Sequence, residues 1–163
     1  MFGDPVAYES TLRVQPCRKE DLLELEAILQ QSPEAANWST NTLAEALARH
    51  PYYLLVAWQT QQIAGFVSGR RVVDEAEILN LAVKPDFRRK GIGKALVREL
   101  LQLFAREKVA NVFLEVRSSN ANAIAFYQHQ NFRQVGERPA YYQNPPEAAL
   151  VLALPMSTAP SLT

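Results

Sequence analysis

The sequence predicts a mixed α/β fold in one domain, and three observations predict it. Strand-like apolar runs alternate with stretches of helical periodicity along the whole chain. Their order, β-α-α-β-β-β-α-β-α-β-β, is not the regular alternation of a doubly wound sheet. The chain has 163 residues, 48% of them hydrophobic, with no internal repeat or linker. That suits one core, at a size where about 70% of the unfolded surface is buried.

Each element follows from its own residues. "TLRVQP" reads as a short strand stopped at Pro16, and "KEDLLELEAILQQ" spaces Leu22, Leu25, Ile28 and Leu29 as a helix does. "WSTNTLAEALARH" gives a second helix, capped by Ser39 or Thr40 and closed by Pro51. "YYLLVAW" and "IAGFVSGRRV" flank "QTQQ" as the arms of a hairpin, and "AEILNLAV" is a strand ended by Lys84-Pro85. "GIGKALVRELLQLFARE" sets Ile92, Leu96, Leu100, Leu103 and Phe104 on one helical face. "NVFLEV" is a strand, "NANAIAFYQHQ" a helix, and "FRQVGER" and "AALVLAL" are closing strands. The folded domain is expected over 11–154. Residues 1–10 and 155–163 are polar or Pro/Ser/Thr-rich, and are expected to be flexible extensions.

Seventeen basic residues balance seventeen acidic ones, which disfavours a broad nucleic-acid or membrane surface. Cys17 is the only cysteine, so neither an internal disulfide nor a cysteine-rich metal site can form. It is read as a structural, buried thiol. His50 and His129 lack partners at metal spacing, and no metal is expected. The start lacks a signal-peptide pattern and the apolar runs are short. A cytoplasmic monomer is the expectation.

"RRKGIGK", Arg88 to Lys94, packs four cations and two glycines into seven residues between a strand and a helix. The start of a helix offers unpartnered N–H groups and a positive dipole end, and Gly91 and Gly93 let an anion approach the backbone. The dinucleotide fingerprint is excluded because Leu96 stands where its third glycine belongs. The P-loop is excluded by its glycine spacing and because Ala95 follows Lys94. A plain basic helix start remains the alternative.

In "NVFLEVRSSN", alternation puts Glu115 on the face opposite Val112, Leu114 and Val116. It could be a general base, with its pKa raised by apolar neighbours such as Phe113, or it could pair with Arg117. Tyr127 lies seven residues after Asn120. It reads as a core aromatic or as a proton donor. Asn131 falls where the last helix should end, and asparagine accepts the left-handed conformation of a C-cap.

"LAVKPDFRRKGIGKALV" resembles motif A of the GCN5-related N-acetyltransferases (GNAT), whose core pattern is Arg/Gln-x-x-Gly-x-Gly/Ala. "DEAEILNLAV", "LEVRSSNANAIAFYQHQNF" and "RPAYY" narrow the resemblance to the RimI-type ribosomal-protein alanine N-acetyltransferases. The resemblance implies a mixed, mostly antiparallel sheet of six to seven strands with a splayed central pair and about four helices. It implies acetyl-coenzyme A as co-substrate, with its pyrophosphate on Arg88, Arg89, Lys90, Gly91, Ile92, Gly93 and Lys94. The pantetheine arm would pair with Leu81, Ala82 and Val83 like an added strand, and Asn120 would contact coenzyme A. Glu115 would be the base and Tyr127 the acid. Trp38, Tyr141 and Tyr142, in loops flanking the acceptor groove, would grip a protein N-terminus, with a small-subunit ribosomal protein as the expected partner. The C-terminal stretch "PPEAALVLAL" departs from relatives, with Glu147 expected at their acidic position. Acetylation of other N-termini or of a small amine stays open, as does a non-catalytic acyl-coenzyme A sensor.

Overall fold

Helices and strands form where the apolar periods place them in the computed structural model, which describes residues 11–157. β1 (Leu12–Pro16) leads through a short turn into α1 (Leu22–Gln30), which buries Leu22, Leu25, Ile28 and Leu29. α2 (Thr40–Ala48) starts on Ser39, whose Oγ accepts the Thr42 N–H at 3.2 Å. Such a cap stabilises a helix start by about 1 kcal/mol. β2 (Tyr52–Gln59) and β3 (Gln62–Val72) form the expected hairpin, with Thr60 at φ 59 in its turn. β4 (Glu75–Val83), α3 (Ile92–Arg106), β5 (Asn111–Arg117), α4 (Ala121–His129), β6 (Arg133–Gln143) and β7 (Pro146–Pro155) complete the chain.

The strands make one seven-stranded sheet in the order β1-β2-β3-β4-β5-β7-β6, antiparallel except for β4 and β5. That parallel pair holds only from Glu75–Glu77 against Asn111–Phe113. Beyond it β4 stays with β3 as far as Val83, and β5 stays with β7 as far as Arg117. The two central strands therefore diverge into a V. A bulge helps. The β3–β4 register shifts between Ser68 and Gly69, which leaves Leu79 without an opposite residue, and an extra residue of this kind bends and twists its strand. It also swaps faces: Ala76 and Ile78 face one layer before it, whereas Ala82 faces the other after it.

Two apolar layers cover the sheet. On one side Val67, Ile78, Leu96, Leu100, Phe104, Leu114, Tyr127 and Phe132 form a cluster beneath α3 and α4. On the other, Leu25, Ile28, Leu43, Val56, Phe66 and Ala82 pack beneath α1 and α2. Each fully buried Leu, Ile or Phe stabilises the fold by about 1.5–3 kcal/mol. Gly69 permits the approach of α3, since a Cβ there would stand 2.8 Å from Phe104 Cζ. Leu103, expected in the buried stripe, is only partly covered, and Val97 is buried instead.

The closing hairpin differs from expectation. β6 does not stop at Arg138 but continues to Gln143, so Tyr141 and Tyr142 stand in a strand rather than a loop. Arg138 lies opposite Ala149 and Tyr142 opposite Glu147, so four steps along β6 match two along β7. The irregularity accommodates Pro139, and β6 is an edge strand, where a missing N–H breaks no inner ladder. β7 runs to Pro155, one residue into the expected tail. The expected extensions at 1–10 and from 158 lie outside the described residues. No helix among the described residues is long and apolar enough to cross a membrane.

Candidate active site

The glycine loop runs from the end of β4 into the first turn of α3. Arg89 and Gly91 both take positive φ, 61 and 79, and Gly91 is the N-cap of α3. Left-handed residues alternating with ordinary ones turn successive backbone N–H groups into one concavity, which suits an anion. A Cβ on Gly91 would meet nothing within 4 Å, and one on Gly93 would lie 3.5 Å from the Phe126 ring. The loop therefore opens outward beside α4. The Arg88 side chain turns elsewhere: its Nε donates to Val83 O at 3.0 Å and its Nη2 to Ser32 Oγ at 3.3 Å, with Glu34 also at 3.3 Å.

The edge of β4 supplies a second element. The Lys84 N–H bonds Ala64 O at 2.8 Å, on the β3 side. Strand alternation then turns the peptide groups of Leu81 and Val83 into the V and those of Ala82 toward β3. Ala82 itself is buried beneath α1 and α2. Past Glu77 this edge pairs with no other strand, although Arg88 holds its last carbonyl, Val83 O, and it leads to a helix start; such an arrangement fits a ligand with an amide-bearing arm and a phosphate. Acetyl-coenzyme A has both.

Glu115 and Tyr127 lie on opposite faces of the sheet. Val112, Leu114 and Val116 point into the α3/α4 layer, so Glu115 points the other way. Its carboxylate pairs with Arg138 Nε at 3.0 Å, not with Arg117. Tyr141 hydrogen-bonds the same carboxylate, and that bond, more than burial, pushes the Tyr141 phenol above its ordinary value. The groups on Glu115 are thus polar rather than the apolar ones expected. Arg117 instead pairs with Glu147 at 3.3 Å and lies 4.0 Å over the Tyr142 ring.

Glu147 organises the approach to α4. It accepts the Ser119 N–H at 2.6 Å and bonds Ser118 Oγ at 3.2 Å. The Ser119 hydroxyl first, then its N–H, hold the Glu147 pKa below the ordinary carboxylate value. Next comes Asn120, the N-cap of α4, whose Oδ1 accepts the Ala123 N–H at 3.1 Å. Its Nδ2 donor stays available to a ligand.

Tyr127 is 7% exposed and sits between Phe126 and Phe132, with ring centroids 5.0 and 5.5 Å away. Asn131 holds φ 71 and ends α4, and Phe132 N–H returns to Tyr127 O at 3.0 Å. This is the six-to-one bond of a Schellman cap, with its usual apolar contact made by Phe132 on Tyr127. Burial pushes the Tyr127 phenol well above its ordinary value, so it keeps its proton. Cys17 is buried as expected, and burial, then Asp21 and Glu20, push its thiol up to about 12. It is no nucleophile.

Two groups escaped the sequence reading. Arg138 reaches Glu115 from a strand 23 positions later. Asn80 Nδ2 donates at 2.9 Å to Ala36 O in the α1–α2 connection, which also carries Trp38. A lone amide in the apolar run "EILNLAV" was the signal for Asn80; Arg138 had none beyond its charge.

Comparison with known proteins agrees with this geometry. Residues 19–132 match the Acetyltransferase (GNAT) family. The [ribosomal protein bS18]-alanine N-acetyltransferase of Escherichia coli (strain K12) is 37% identical over 131 residues, 79% of this chain and 88% of that one. The crystal structure of the ribosomal-protein-S18-alanine N-acetyltransferase from Escherichia coli superposes with a TM-score of 0.82 at 33% identity, covering 94% of this chain and 99% of that one. Arabidopsis thaliana NAA60 in complex with acetyl-CoA shares the fold, with a TM-score of 0.81 at 20% identity over 90% of this chain and 99% of that one. With a splayed β4–β5 pair, a glycine loop at the start of α3 and a match over most of its length, the chain belongs to the GNAT acetyltransferase family.

Proposed function

We propose that this protein acetylates the N-terminal amine of a protein beginning with alanine, a ribosomal protein of the bS18 kind. The observation that carries this is the identity with the bS18-alanine enzyme, which spans both the glycine loop and the β5–α4 unit.

The chain's own residues divide the chemistry. Acetyl-coenzyme A supplies an acetyl group activated as a thioester. The N–H groups from Arg89 to Lys94 hold its phosphates, the Leu81 and Val83 edge aligns its arm, and Asn120 Nδ2 adds a donor. Glu115 takes the proton of the incoming amine on the α1/α2 face, through water, while Arg138 and Tyr141 fix its carboxylate. The Tyr127 hydroxyl holds a proton for the departing sulfur on the α3/α4 face. Peptide N–H groups beside the bulge stabilise the charge that develops on the carbonyl oxygen. Trp38, Tyr141 and Tyr142 border the acceptor.

An α-amino group has a pKa of about 7.7–8.0 and a lysine side chain about 10.4, so near pH 7.5 roughly a third of the former is neutral against about one in a thousand of the latter. A single carboxylate therefore suits the N-terminus. A peptide beginning with Ala should exceed the same peptide, blocked and carrying an internal Lys, by at least about 10²-fold in kcat/KM. Mass spectrometry of the two products decides it. Comparable labelling of the blocked peptide would remove the proposal.

A further inference from the structure

We infer that Asn80 and Arg88 are positioning residues that hang the wall of the acceptor side from the cofactor strand. The wall is the α1–α2 connection, residues 31–39. The inference rests on the acceptor entering on the Glu115 face.

Asn80 sits immediately after the bulge in β4 and is 4% exposed. The extra residue at Leu79 turns its side chain toward α1 and α2, where Nδ2 bonds Ala36 O at 2.9 Å. That carbonyl also accepts the Trp38 N–H at 3.0 Å, so Asn80 grips the peptide group that sets Trp38. Ser68, directly opposite on β3, is buried with a hydroxyl that bonds no described residue. The neighbouring polar side chain therefore does not share the task.

Arg88 ties the other end. Its Nε holds Val83 O at 3.0 Å, the last carbonyl of β4. Its Nη2 spans to Gln31 O at 3.5 Å, Ser32 Oγ at 3.3 Å and Glu34 at 3.3 Å. A first-position arginine aimed at phosphate would point along the glycine loop; this one points across to the α1–α2 connection. The exposed Glu34 pair adds little by itself, but the fork geometry of a guanidinium can bridge a strand carbonyl and a distant connection at once. Both ties reach β4 where its edge opens into the V. A shift of that edge moves the wall.

The test uses Asn80→Ala and Arg88→Met, with three readouts. Hydrogen–deuterium exchange across residues 31–39, which needs no acceptor, should quicken about tenfold in Asn80→Ala, the size expected for a lost buried hydrogen bond, and by a smaller factor in Arg88→Met, whose bonds lie near the surface. Coenzyme A affinity by calorimetry should change less than about threefold, while KM for the Ala peptide rises about tenfold and kcat falls less. Unchanged exchange in that segment would overturn the inference. So would faster exchange with an unaltered peptide KM, which would make the connection tethered but not the acceptor wall. A tenfold loss of coenzyme A affinity in Arg88→Met, with exchange intact, would return Arg88 to the phosphate. Arg88 is at the surface, so its variant keeps the test alive if Asn80→Ala does not fold. Failure of the wild type to use the Ala peptide would remove the function proposed above, and the exchange would still decide the tether.

Discussion

Tyr127→Phe separates catalysis from packing. The variant keeps the ring and its edge contacts with Phe126 and Phe132 at 5.0 and 5.5 Å. It removes a hydroxyl that has no hydrogen-bond partner among the described residues. No protein hydrogen bond is lost, so stability should stay within about 0.5 kcal/mol of wild type. For a chain of this size the melting temperature should then move by no more than about 2 °C. Turnover should fall by about 10²–10⁴, the usual contribution of a general acid, which is about 2.7–5.4 kcal/mol of barrier. The pH dependence sharpens the test. Burial lifts the phenol above its ordinary value of about 10, so it still carries its proton at pH 9 and the wild-type rate should not decline there on its account. Thermal unfolding and initial rates with the Ala peptide from pH 6 to 9.5 measure both. A stable variant with more than half the activity would make Tyr127 a core aromatic only. A loss of several degrees would show that the hydroxyl has a structural partner.

Three further outcomes follow from other sites. Glu115→Gln should lower turnover by about 10²–10⁴ in pH–rate measurements while coenzyme A affinity persists in calorimetry. Gly91→Val places a β-branched residue at φ 79, where the cost is about 1–2 kcal/mol of backbone strain rather than a clash, because nothing lies within 4 Å of its Cβ. Coenzyme A affinity should drop at least about tenfold, and Gly91→Asn, which tolerates that φ, should recover most of it; unchanged affinity in a folded Gly91→Val protein would sink the phosphate cradle. Cys17 is buried as a thiol, and its pKa rises from 9.0 to about 12 on folding. Its contribution is therefore complete below pH 9 and lost between 9 and 12. In urea unfolding at pH 8, 9 and 10, Cys17→Ala should remove the decline that begins near 9.

How much could be read in advance differed by the range of the interaction. The caps at Ser39 and Asn131 depend on neighbours within a few residues and were legible from residue type and place, and the α3 stripe was legible from spacing except that Val97 is buried where Leu103 was expected. The closing strand read over "FRQVGER" runs on past Pro139, because a proline is harmless on an edge, and position within a sheet is a tertiary property. The Glu115–Arg138 pair and the Arg88 and Asn80 ties join residues 23, 56 and 44 positions apart. Nothing local announces such partners. For Arg88 the local motif pointed at phosphate, while the folded chain directs its side chain to the α1–α2 connection. Asn120 shows the converse, since one side chain both caps α4 and leaves a donor over.

The placement of Glu115 and Tyr127 on opposite faces of one sheet has a consequence for divergence. In the proposed reaction donor and acceptor are served by separate layers, joined only where β4 and β5 part. Substitutions in the α1–α2 connection or in the irregular stretch of β6 can change which N-terminus is admitted while leaving Gly91, the β4 edge and Tyr127 undisturbed. Acceptor preference is then a property of one removable surface. A chimera that takes residues 31–39 and 138–147 from a relative with another preference should acquire that preference and keep its affinity for coenzyme A.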